Sequence, residues 1–99
     1  MITLVRTAVA LPGKIFELVA VAKELAGVIK RLTGKDFAVG GAVGGLVGEI
    51  AWIGHFDSLA ELEQTTAKIM ADADYRSTVK KLEGLVVPGT PRDHMWRHF

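Results

Sequence analysis

Three histidines, His55, His94 and His98, are the only side chains here whose ordinary pKa lies near neutrality, so they are the first candidates for proton transfer. His55 is the best candidate for a general base, standing at the end of an apolar run where a strand would finish. His94 and His98 have an even separation and share one face of an extended segment, about 13 Å apart. That is too far to hold one ion from a single subunit, even with Glu49 or Asp93 nearby, so no metal site is predicted. The plain alternative is strand-end histidines on a solvated surface. Arg6 is less ordinary. A guanidinium between Leu4 and Ala8 in a strand needs a carboxylate or an anionic ligand, and Asp93 and Glu49 are the candidate partners within the chain. Trp52 and Trp96 are suited to line an apolar ligand pocket with their indole N–H groups as orienting donors, or to fill a core or dimer interface.

Other chemistries fail on detail. The glycines between Gly40 and Gly48 match neither phosphate-loop pattern and lead into a strand rather than a helix N-terminus. Ser58 is committed to a helix cap and Ser77 lies mid-helix, so no nucleophile constellation forms. Asp72 and Asp74 read as a cap rather than a cation site. With no cysteine there are no disulfides, thiolate nucleophiles or Cys-based metal centres. No cofactor is implied.

Several elements must position these residues. Residues 2–10 are rich in Val, Ile, Leu and Thr and stop at Pro12-Gly13, which predicts a first strand. From Lys14 to Leu32 the apolar positions Ile15, Leu18, Ala22, Leu25, Ile29 and Leu32 recur at spacings of three and four, the mark of an amphipathic helix ended by Gly34. Phe37 to Val43 and Glu49 to Phe56 flank Gly44-Gly45-Leu46-Val47 as a hairpin. Ser58-Leu59-Ala60-Glu61 is a capping box, with the Glu61 carboxylate expected to accept from the Ser58 amide. The helix it opens has a stripe of Leu59, Leu62, Thr66, Ile69 and Met70, and a break is expected near Asp72, before Tyr75, Val79 and Leu82. After a turn-rich link at 86–91, Asp93 to Phe99 is the final strand.

Ninety-nine residues provide for a single domain, 1–99, and a 49% hydrophobic composition with mean hydropathy +0.30 excludes a disordered chain. A formal charge of +1 gives no field to attract nucleic acid. The uncharged run from Phe37 to Gly48 has glycines at GxxxG spacing, but Glu49 ends it after twelve residues, short of the roughly 20 a membrane span needs. With no basic and apolar leader at Met1, a cytoplasmic location is expected.

The order strand, helix, strand, strand, helix, strand predicts an α+β, ferredoxin-like βαββαβ domain with a four-stranded antiparallel sheet. Right-handed crossovers put the first and third strands in the middle. Both carry apolar residues at both parities: Ile2 and Leu4 against Val5 and Val9, Ile50 and Trp52 against Ala51 and Ile53. Helices cover only one face of such a sheet, so a homodimer joined through the other face is expected.

The chain resembles the dimeric α+β barrel superfamily, and within it NIPSNAP-type proteins. The resemblance rests on Arg6-Thr7, on Pro12-Gly13-Lys14 entering the first helix, and on Trp52 before His55-Phe56-Asp57-Ser58-Leu59-Ala60-Glu61. It continues in Ala71-Asp72-Ala73-Asp74-Tyr75 and in Pro88-Gly89-Thr90 with Arg92 and Trp96. It departs at Ala8, where an aromatic is expected, and at Ala73, where a proline is common. The resemblance implies a homodimeric α+β barrel around a central cavity, a space in which antibiotic-biosynthesis-monooxygenase-like and haem-degrading relatives do chemistry. Three functions are then open. The first is binding of a small hydrophobic or aromatic molecule in the barrel cavity, with Arg6, Trp52, His55, His94 and Trp96 as ligand-binding candidates. The second is a cofactor-independent monooxygenase or isomerase with His55 as general base. The third is an assembly module with no ligand.

Overall fold

The β-branched N-terminal run forms β1, Ile2–Val9, in the computed structural model, which describes residues 1–99. It is followed by α1 (Ile15–Thr33), β2 (Ala38–Gly41), β3 (Glu49–Phe56), α2 (Leu59–Met70), α3 (Ala73–Lys80) and β4 (Arg92–Arg97). All strand pairs are antiparallel, in the order β2-β3-β1-β4, so β1 and β3 are central as expected. The fold is α+β and ferredoxin-like, with all three helices on one face of the sheet.

Local chemistry accounts for the boundaries. Gly34 ends α1 in the left-handed region at φ 74°, with its N–H donating to the Lys30 carbonyl at 2.8 Å. The Ser58 hydroxyl accepts from the Glu61 amide at 3.1 Å, opening α2. The Glu61 carboxylate, however, accepts from the Asp57 amide rather than that of Ser58, and it also pairs with Lys35. The helical region breaks at Asp72, whose carboxylate accepts from the Tyr75 amide at 2.9 Å and starts α3. Strand β2 is shorter than the 37–43 expected, its ladder with β3 running only from Ala38 to Gly41, opposite Ile53 to Ile50. The final strand runs over 92–97 rather than 93–99.

Register assigns the two sheet faces, which alternation alone could not. Ile2, Leu4, Arg6 and Ala8 lie opposite Phe56, Gly54, Trp52 and Ile50. These eight face the helices, since the Trp52 indole N–H donates to the Ala22 carbonyl of α1 at 3.1 Å. On the other face Val5 meets Ile53, Thr7 meets Ala51 and Val9 meets Glu49, with Arg92, His94 and Trp96 continuing it on β4. The core is built where α1 crosses the sheet: Leu18, Ala22 and Leu25 pack with Ala8, Ile50, Trp52 and Leu85. Burying a leucine as completely as Leu18 stabilises by about 1.5–3 kcal/mol.

The apolar stripe on α2 behaves differently. Only Ile69 of that helix is buried, while Leu59 and Met70 are exposed, and the space beneath its Thr65 to Met70 half is open. No helix is long and apolar enough to cross a membrane.

Candidate binding pocket

That open space is a pocket of about 520 Å³ between the sheet and the helices. Its floor is Leu4, Arg6 and Ala8 of β1 with Trp52 and Phe56 of β3, and its walls include Leu25 and Ile29 of α1, Ile69 and Met70 of α2, and Tyr75 and Val79 of α3. Thirteen of the twenty lining residues are hydrophobic, so the pocket suits an apolar body rather than a sugar or nucleotide. Small residues make the room. Ala8 leaves the floor low, and Gly54 allows the Phe37 ring to lie flat across β3, where a methyl group would overlap it. Phe37 in turn packs edge to face on Phe56, with ring centroids 5.9 Å apart. The aromatic lining therefore comes from Phe37, Trp52, Phe56 and Tyr75 rather than from the first strand.

One ion pair stands in this lining. Arg6 and Asp93, opposite each other on β1 and β4, form a fork in which Nε donates to Oδ1 at 2.6 Å and Nη2 to Oδ2 at 2.8 Å. Glu49 lies on the opposite sheet face, which removes it as the alternative partner. The fork raises the Arg6 pKa, with desolvation opposing and the nearby Tyr75 hydroxyl adding to the rise. The same hydrogen bonds hold the Asp93 carboxyl below its usual range. A depressed carboxylate stabilises the fold above its unfolded pKa, and that contribution is lost as pH falls through the folded value. Both side chains are more than 40% exposed, so solvent screening limits the effect to about 1 kcal/mol or less.

Strand parity divides the five residues expected to bind a ligand. Arg6 and Trp52 line the pocket, but the Trp52 N–H is already committed to Ala22 and does not act as an orienting donor. His55, His94 and Trp96 lie on the opposite, uncovered sheet face. There His55 joins a different group, in which Nδ1 of His55 lies 2.9 Å and Nε2 of His98 lies 2.5 Å from the Thr3 hydroxyl. No three His, Cys, Asp or Glu side chains come together as a metal site. Tyr75, Phe37, Ile69 and Asp93 are among the pocket residues that sequence reasoning does not mark as such. Of these, Tyr75 had a usable signal, since an Asp72 cap three residues earlier fixes the turn that carries it.

The sequence matches no protein-family model and no curated protein. Its fold does match solved structures. A NIPSNAP domain protein from Burkholderia xenovorans superposes with a TM-score of 0.85 at 12% identity, over 100% of this chain and 95% of that one. A NIPSNAP family protein from Agrobacterium tumefaciens gives 0.82 at 23% identity, over 97% and 86%. An antibiotic-biosynthesis-monooxygenase-like protein from Deinococcus radiodurans gives 0.73 at 15% identity, over 100% and 93%. The chain thus shares the fold of the group it was expected to resemble.

Proposed function

We propose that this protein is a homodimer that binds a small hydrophobic or aromatic molecule, not between its sheets but in the pocket between sheet and helices of each chain. The observation that carries this reading is the pocket itself: about 520 Å³, walled mainly by apolar side chains and with one oriented ion pair in its lining. Volume, apolar walls and a few fixed polar groups are what small-molecule sites share. An assembly module with a filled interior accounts for none of them. The general-base alternative is less well supported, because none of the three histidines lines the pocket. A fold relative described as monooxygenase-like is in keeping with small-molecule binding on this scaffold.

The dimer is supported by surface arithmetic. A folded monomer of 10.7 kDa is expected to expose about 5500 Å², whereas this chain exposes 6318 Å². The excess is about 800 Å², the area each partner buries in an interface of standard size. The face carrying Val5, Val9, Ile53 and Trp96, which no helix covers, is the one left for a partner to bury.

Native mass spectrometry of the purified protein tests the reading. The expected spectrum is a dimer that gains one pyrene carboxamide per chain, with the adduct lost in Ile69→Trp, which fills the pocket. An adduct that survives this substitution, or no adduct at all in the wild type, contradicts it.

A further inference from the structure

We propose that the pocket selects uncharged ligands whose polar end both donates and accepts hydrogen bonds, such as a carboxamide or a hydroxy carbonyl group, and rejects carboxylates of the same shape. The inference rests on the reading of the pocket as a small-molecule site.

A lone arginine in an apolar cavity is a carboxylate receptor, because its planar fork matches two anionic oxygens. Arg6 is not in that state. Its Nε and Nη2 are already donated to both oxygens of Asp93, so its fork is occupied and its charge is matched. What the pair still offers a ligand is the remaining N–H groups of the guanidinium beside the free lone pairs of the carboxylate. Those are donors and acceptors side by side with no net charge.

An incoming carboxylate meets this arrangement badly. Reaching the free N–H groups of Arg6 brings it next to the Asp93 carboxylate, and the two anions repel each other because solvent reaches the pair only in part. Taking the fork for itself would strip Asp93 of the guanidinium that offsets its charge and leave two carboxylates sharing one cation. A carboxamide avoids both costs, accepting from Arg6 through its carbonyl and donating to Asp93 through its N–H. The other polar groups in the lining of the helices, Thr65, Thr66 and Tyr75, are uncharged hydroxyls, and that of Tyr75 lies beside Arg6. Arg92 also touches the pocket, but its register opposite Thr7 places it with the side chains of the uncovered sheet face, where solvent screens its charge.

A matched pair of probes, pyrene carboxamide and pyrene carboxylate, separates the possibilities by calorimetric titration at neutral pH. The wild type is expected to bind the amide about tenfold more tightly than the carboxylate, a difference of about 1.4 kcal/mol. Asp93→Asn, confirmed as folded by its melting curve, frees the charge of Arg6 and is expected to reverse the order. Equal or tighter binding of the carboxylate by the wild type overturns the inference while leaving the pocket in place as a binding site. An amide preference that persists in Asp93→Asn overturns it as well, since selection would then not run through Asp93. If neither probe binds the wild type, the reading of the pocket itself fails. The wild-type comparison decides the matter even where the variant does not fold.

Discussion

Ile53→Lys is expected to convert the proposed dimer to a monomer at micromolar concentration, with the dissociation constant raised at least about 100-fold. Ile53 sits at the centre of the uncovered sheet face, on the inner strand β3 and opposite Val5 of β1. A two-fold interface repeats each residue, so one substitution places two ammonium groups where two apolar side chains were to be buried. An unpaired polar group buried without a hydrogen-bond partner costs roughly 1–3 kcal/mol, and a charge costs more. Light scattering coupled to size exclusion reads the change directly. The helix-side core is untouched, because Ile53 points away from α1, and the circular dichroism of the variant should remain that of a folded α+β chain. A wild type that runs as a monomer at every concentration would remove the dimer from the account.

Trp52→Ala carries the largest effect on stability, about 3 kcal/mol, at the lower end of the range for buried aromatic truncation. Trp52 is 7% exposed, packs in the core with Leu18, Ala22 and Ile50, and anchors β3 to α1 through its bond to the Ala22 carbonyl. The cost stays at the lower end because one side of the indole already borders the pocket and loses no neighbours there. For a chain of this length such a loss lowers the melting temperature by about 12 °C or more. Trp96→Ala is the matched control. Trp96 is 62% exposed on the uncovered face, so its loss should leave the intrinsic melt almost unchanged and act instead on dimer affinity. Two tryptophans of similar promise in the sequence are thus given opposite roles by the parity of their strands.

That division marks where legibility ended. Local signals were strong enough to place nearly every element. The three- and four-residue spacing from Ile15 to Leu32, the Ser58 and Asp72 caps and the left-handed Gly34 each correspond to a hydrogen bond or a helix end in the structure. The Arg6 to Asp93 pairing was also within reach, since a guanidinium in an inner strand requires a nearby carboxylate and only two were available. Parity was not. Val5, Ile53 and Ala51 are apolar just as Leu4, Ile50 and Trp52 are, so alternation gives no indication of which set meets the helices. The deciding contact, Trp52 to the Ala22 carbonyl, is thirty residues long-range and has no local signature. The pocket was hidden for a related reason. A stripe of Thr66, Ile69 and Met70 reads as a core-facing helix whether the space below it is filled or empty, and emptiness depends on the summed volumes of Ala8, Gly54 and their neighbours.

Ligand is expected to enter between the sheet and its helices, and nuclear magnetic resonance of the methyl groups during titration with pyrene carboxamide tests this. Leu25, Ile29, Ile69 and Val79 line the pocket, while Val5, Val9 and Ile53 lie on the far side of the same sheet, so the two sets report separately on the two faces. Saturable shifts centred on the first set, with the second set still, are the predicted result. Shifts centred on Val5, Val9 and Ile53, with Ile69 and Leu25 unmoved, would contradict the account and place the ligand between the sheets.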